Sequence, residues 1–175
     1  KKLKDEYIPG TKYIGKKDIQ AQLGLFIAHD IDDLNEILED KKFVIIQNLL
    51  NNPFLIEDRK INIRVYFLLL CKNDEIHAYI HKDGFIYYTP NTFSYESKDK
   101  NCHITSGYAS RDIYKTCPLT LQDLLIYLKK NGYDSKKFFR NIMNLVSRIV
   151  DAIQEPICNM EKIKKNHKFQ LFGMD

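Results

Sequence analysis

The sequence predicts a mixed α/β (α+β) fold, a mainly antiparallel sheet followed by C-terminal helices. Three observations carry this. From Tyr13 to Thr89, short runs of β-branched, aromatic and aliphatic residues are separated by turn residues such as Asn51-Asn52-Pro53, Asn73-Asp74 and Asp83-Gly84. From Thr120 to Gln154, apolar residues recur every three or four positions. The 175 residues are 44% hydrophobic and 29% charged, which suits one globular domain with a core rather than a disordered chain.

The strands come first. Tyr13 to Lys17 reads as a strand ending in two cations, and Leu23 to Ala28 as its hairpin partner across a polar loop. Asp30 can cap a helix to Asp40 whose apolar face is Ile31, Leu34, Ile37 and Leu38. Phe43 to Gln47 is apolar and is expected to be a central strand. Arg59 to Leu70 is the longest β-type run. Ile76 to His81 and Phe85 to Thr89 read as two further strands with a turn at Asp83-Gly84. Residues 91–101 read as a polar, mobile loop.

Two helices follow. Thr120 caps a helix whose face is Leu121, Leu124, Leu125 and Leu128, and Asn131-Gly132 stops it. Ser135 opens a longer one, with Phe138, Ile142, Leu145, Val146, Ile149, Val150 and Ile153 inward, closed by Glu155-Pro156. Residues 161–168 form a cationic linker, and Phe169 to Phe172 opens a last strand.

The charge pattern concentrates on the Arg59–Leu70 run. Lys60, Asn62 and Arg64 alternate with Ile61, Ile63 and Val65, so period two puts two cations and an amide on one face. Such a face is either a solvated edge or a cradle for a polyphosphate, to which Arg offers a fork and Lys a point charge. The net charge of +4 suits an acidic partner and does not mark a nucleic-acid binder. No signal peptide and no membrane-spanning apolar run is visible. The four cysteines contain no CxxC pair, which argues for reduced thiols and against zinc. His77 and His81 read as surface or structural histidines, and Thr105-Ser106 beside His103 lacks the elbow of a serine nucleophile.

Several motifs in order resemble one family. They are Val44-Ile45-Ile46-Gln47, Asn51 to Ile56, Arg59 to Tyr66, Asp83-Gly84-Phe85, Cys102-His103-Ile104-Thr105, Glu155-Pro156-Ile157 and Phe169 to Gly173. This order resembles the tubulin tyrosine ligase family, of ATP-grasp fold, over residues 13–175. Cys102 to Thr105, Glu155-Pro156 and Phe169 to Gly173 look nearer to the tyrosine ligase than to the glutamylases and glycylases. The resemblance implies a truncated ATP-grasp core, with residues 1–175 the central and partial C-terminal part of a ligase domain. It implies ATP-dependent ligation of an amino acid, tyrosine or glutamate, to the acidic C-terminal tail of tubulin through an acyl phosphate. The partners would be tubulin and a free amino acid, with no nucleic acid and no membrane, in the cytoplasm near microtubules.

The same resemblance implies roles residue by residue. Lys16 and Lys60 would hold ATP phosphates. Gln47, Asn48, Leu49 and Leu50 would line the adenine, and Thr105 the same site. Lys60, Asn62 and Arg64 would be catalytic, with Arg64 neutralising the transferring phosphoryl group. Tyr87, His103 and Ser106 would meet substrate. The chain departs from the family at Asn62, where an Asp is usual, at Tyr87, near the place of an Arg, and at Ser106, where an Asn is usual. The Mg²⁺ ligands would lie beyond Asp175, so no metal ligand is assigned and the chain alone is expected to be inactive. The alternative is a catalytically degenerate relative that binds nucleotide, tubulin or another protein.

Overall fold

The computed structural model describes residues 7–19, 24–72, 75–105, 111–158 and 168–175. The Asn73-Asp74 turn, Ser106, most of the loop after Lys17 and nearly all of the cationic linker lie outside the described residues. The chain divides into two compact units, Lys1–Lys60 with Asn91–Ile104, and Ile61–Pro90 with Thr105–Asp175.

In the first unit, β1 (Tyr13–Lys17) lies between β2 (Leu25–Ala28) and β3 (Phe43–Asn48) in an antiparallel sheet. Helix α1 (Ile31–Glu39) follows the 3.6-residue pattern. Leu34 and Ile37 are buried with Tyr13 and Ala28, and Ile31 and Leu38 flank them. Its start is set by Asp30, whose carboxylate accepts the backbone N–H groups of Asp32 and Asp33.

The expectation that β3 is central is corrected. It pairs with β1 alone among the described strands, and Val44 and Ile45 are 63% and 51% exposed. An apolar run signals a strand; it does not report which neighbours cover it. The hairpin of β4 (Leu55–Ile56) with the start of β5 (Arg59–Lys72) turns through Glu57 and Asp58, both at positive φ (48° and 56°). That is the twist a two-residue hairpin loop demands.

In the second unit, β5 is flanked by β6 (Glu75–Tyr88) and β7 (Lys168–Met174), both antiparallel to it. The expected turn at Asp83-Gly84 is absent. Instead, β6 runs through, and the register shifts between Val65 and Phe67, where one β5 residue opposes three of β6. Gly84 lies against β5 so closely that a Cβ there would overlap the backbone oxygen of Arg64.

One face of this sheet packs on the helices. Phe67 and Leu69 are buried with Val146 and Val150 of α3 (Ser135–Cys158), and Ile149, Ile153, Phe172 and Met174 pack around them. Two expectations for α3 fail. Leu145 is 50% exposed, and the helix continues past Pro156 to Cys158. A proline so near a helix end removes one ladder bond, too little to stop the last turn.

Helix α2 (Leu121–Lys130) buries Leu121, Leu124 and Leu128 and begins in a full capping box. The Thr120 hydroxyl accepts from Asp123 N–H, and the Asp123 carboxylate accepts from Thr120 N–H. Thr120→Ala is expected to lower unfolding stability by about 1 kcal/mol, read as a shifted urea midpoint at constant m. An unchanged midpoint would show that the cap contributes nothing.

Among the described residues, Cys71, Cys102 and Cys117 are buried and form no disulfide, and no helix is long and apolar enough to cross a membrane.

Candidate functional site: cations of the two units

The first unit brings Lys16 and Lys60 together. Lys16 occupies the fourth position of β1, opposite Ile45 and Leu25, and is half-buried. Lys60 sits where β4 and β5 pair, opposite Leu55. Burial, and then the charge of Lys16, hold the Lys60 ammonium below the ordinary lysine pKa. No carboxylate among the described residues pairs with either lysine. The Lys60 Nζ donates instead to the backbone oxygen of His103 at 3.0 Å. The contrast is Lys17 next door, whose charge is met by Asp40 at 2.6 Å and by the face of Phe43. Two adjacent lysines held without a counter-charge form a place for an anion.

The expected adenine segment also belongs to this unit. Gln47 and Asn48 close β3 opposite Ile14 and Tyr13, with exposed side chains. Leu49 turns inward against Ile14 and Ile27, and its N–H donates to Lys12 O at 2.7 Å. Leu50 is exposed. His103, expected at the substrate, is wholly buried, and its Nε2 meets Ser97 O at 2.7 Å.

The loop expected at 91–101 is a fastened strap. Phe93 N–H donates to Asp58 O at 2.7 Å, and Asn91 N–H to Asn101 O at 3.0 Å. The nearly buried Lys12 ammonium donates to Tyr95 O and, at 2.7 Å, to Glu96. This buried cation had no signature in the sequence, because Lys12 stands in a Lys-rich, turn-like stretch.

The second unit holds Arg64, Asn62, Tyr87 and the half-buried Thr105. The strand register explains the first three: Asn62 faces Tyr87 across β5 and β6, and Arg64 lies two residues further along β5. The Arg64 guanidinium stands over the Tyr87 ring at 5.1 Å and donates to its hydroxyl at 3.4 Å. Its fork meets Asp175, with Nε to Oδ1 and Nη2 to Oδ2 both at 2.5 Å. Asp175 raises the Arg64 pKa, so the fork stays charged at every relevant pH. Asn62 turns its Oδ1 to the N–H of Ile63 at 2.9 Å.

Asp175 is a site residue that the sequence did not reveal. Only the β5–β7 register, which pairs Val65 with Met174, carries the residue just after β7 to Arg64. Among the described residues no cluster of three metal-ligating side chains occurs.

The comparisons with known proteins follow this geometry. The tubulin-tyrosine ligase family model matches residues 2–175. The probable tubulin polyglutamylase TTLL9 of Bos taurus is 29% identical over 159 residues, 85% of this chain and 33% of that protein. A probable beta-tubulin polyglutamylase of Tetrahymena thermophila is 23% identical, over 93% of this chain and 15% of its own length. Human tubulin polyglutamylase TTLL5 is 23% identical, over 83% and 13%. The chain thus spans a third or less of the length of these relatives. Their names speak of glutamate, whereas some motifs of this chain had suggested tyrosine. With the family model covering nearly every residue, this chain belongs to the tubulin-tyrosine ligase family.

Proposed function

We propose that this chain forms the phosphate-handling part of an ATP-dependent carboxylate–amine ligase that adds glutamate to a tubulin tail. The observation that carries the reading is the Lys16–Lys60 pair, two neighbouring cations that no carboxylate among the described residues pairs with. The relatives' names supply the tubulin acceptor and the amino acid.

In this reading ATP gives its γ-phosphoryl group to the tail carboxylate, ADP leaves, and the incoming amine displaces phosphate to close the amide. Phosphoryl transfer needs position and charge neutralisation more than covalent help. Lys16 and Lys60 hold the polyphosphate, and binding restores the charged form that burial disfavours at Lys60. In the second unit, Arg64 stands against Tyr87 and would offer a two-pronged donor to a phosphoryl group only on release from Asp175. The donor set fits ATP's anionic tail. It does not fit Mg²⁺, which needs several hard oxygen ligands. Among the described residues Asp175 is the carboxylate at Arg64, and it belongs to no cluster of three metal-ligating side chains.

A second reading is a nucleotide- or tubulin-binding relative without ligase activity. Asn62 and the Arg64–Asp175 pair favour it, since the amide has lost a charge and the fork is occupied.

The test is incorporation of labelled glutamate and labelled tyrosine into tubulin by the full-length protein, with ATP and Mg²⁺. Glutamate incorporation is expected, and Lys60→Ala is expected to lower kcat/KM about 100-fold. Affinity for ATP is expected to fall as pH rises through the depressed Lys60 pKa, because the neutral amine cannot attract phosphate. Nucleotide binding without incorporation of any amino acid would select the second reading. Absence of both would overturn the two together.

A further inference from the structure

His103 is more buried than a substrate contact should be. Its side chain is wholly enclosed, packed edge-on against Phe93 at 5.7 Å and His29 at 6.3 Å between ring centres. One ring nitrogen, Nε2, meets Ser97 O at 2.7 Å, while Nδ1 is buried without a hydrogen-bond partner among the described residues. A bond to a carbonyl requires the proton on Nε2, which fixes the tautomer. The backbone of the same residue does different work, since its oxygen receives the Lys60 ammonium at 3.0 Å.

That carbonyl is fixed from several sides. The N–H of His103 donates to Lys100 O at 2.9 Å, closing the 3-10 turn Lys100–Cys102. The Ser97 bond ties the ring to the middle of the strap. Phe93 ties the strap's beginning to Asp58, two residues before Lys60. The strap therefore holds both the hairpin turn that launches Lys60 and the acceptor that ends its side chain.

A lysine side chain carries rotamer freedom that a ligand would otherwise have to quench. A carboxylate would restrain it but would also neutralise it. A carbonyl restrains it and leaves the positive charge available.

We infer that His103 is a positioning residue: its imidazole, anchored on Ser97, fixes the carbonyl that aims the Lys60 ammonium at a polyphosphate. The inference rests on the function proposed above. In this role the imidazole acts through the carbonyl and not on the substrate.

The experiment compares His103→Leu with His103→Gln in the full-length protein. The amide nitrogen of Gln occupies the place of Nε2 and can still donate to Ser97 O; Leu fills the space and cannot. His103→Leu is expected to raise KM for ATP about tenfold, the weight of one hydrogen bond to a charged group, with KM for the amino acid unchanged. His103→Gln is expected to stay within about twofold of wild type. In a Lys60→Met background, His103→Leu should add nothing further. If the Leu variant does not fold, His103→Asn, whose amide is too short to reach Ser97, carries the same comparison.

An unchanged KM for ATP in His103→Leu, alongside a Lys60→Met defect, would overturn the positioning role and leave the function standing. Equal damage from Leu and Gln would overturn it as well. If the wild-type protein neither ligates nor binds a fluorescent ATP analogue, the function fails. The positioning role is then read from amine acylation of Lys60, followed by mass spectrometry. Acylation should quicken several-fold in His103→Leu; an unchanged rate overturns the role.

Discussion

Arg64→Ala in the full-length protein is expected to cut ATP-dependent ligation by about 100- to 1,000-fold, the cost of removing one preorganised donor from a charge-developing site. The fold should survive. The Arg64–Asp175 pair is more than a third exposed on both sides, so its loss should move stability by no more than about 1 kcal/mol. Arg64→Lys should recover little, since an ammonium cannot replace a planar fork stacked on Tyr87. The check is kcat/KM for labelled glutamate together with a urea unfolding curve for each variant. A variant that loses several kcal/mol but keeps its activity per folded molecule would show the pair to be structural.

Gly84→Ala is expected to cost about 3 kcal/mol of stability, at the upper end for overpacking, because the new methyl group meets main chain rather than a movable side chain. The main chain in question is that of Arg64, so the remaining folded fraction should also ligate poorly. Equilibrium denaturation measures the first effect. A loss below about 0.5 kcal/mol, the range of ordinary surface changes, would show that β6 can move away from β5 at this point.

That glycine illustrates what the sequence could and could not convey. Asp83-Gly84 has the composition of a hairpin turn, and it is a bulge inside a continuous strand. Both need a residue without a side chain, so composition cannot separate them. Helix starts were legible because their signal is local: Asp30, Thr120 and Ser135 each open a helix as read. The end of α3 was not, because a proline in a last turn and a proline after it look alike in sequence. The nearness of Lys16 to Lys60 was legible. The partnership of Arg64 with Asp175 was not, because it joins residues 111 apart in sequence through a register set by packing. The burial of His103 was equally hidden: no residue beside it in the sequence announces that its ring meets the Ser97 carbonyl.

The fastening of residues 91–104 bears on anyone who would exchange parts among these ligases. A surface loop can usually be swapped like a cassette, its two ends being all that must match. Here the insert would need to bring a carbonyl for the Lys12 ammonium, an N–H for Asp58 and a partner for its own imidazole. A chimera made at the loop ends alone would strand a positive charge in the interior. Moving this segment between relatives therefore calls for moving Lys12, the Glu57-Asp58 corner and the segment as one piece.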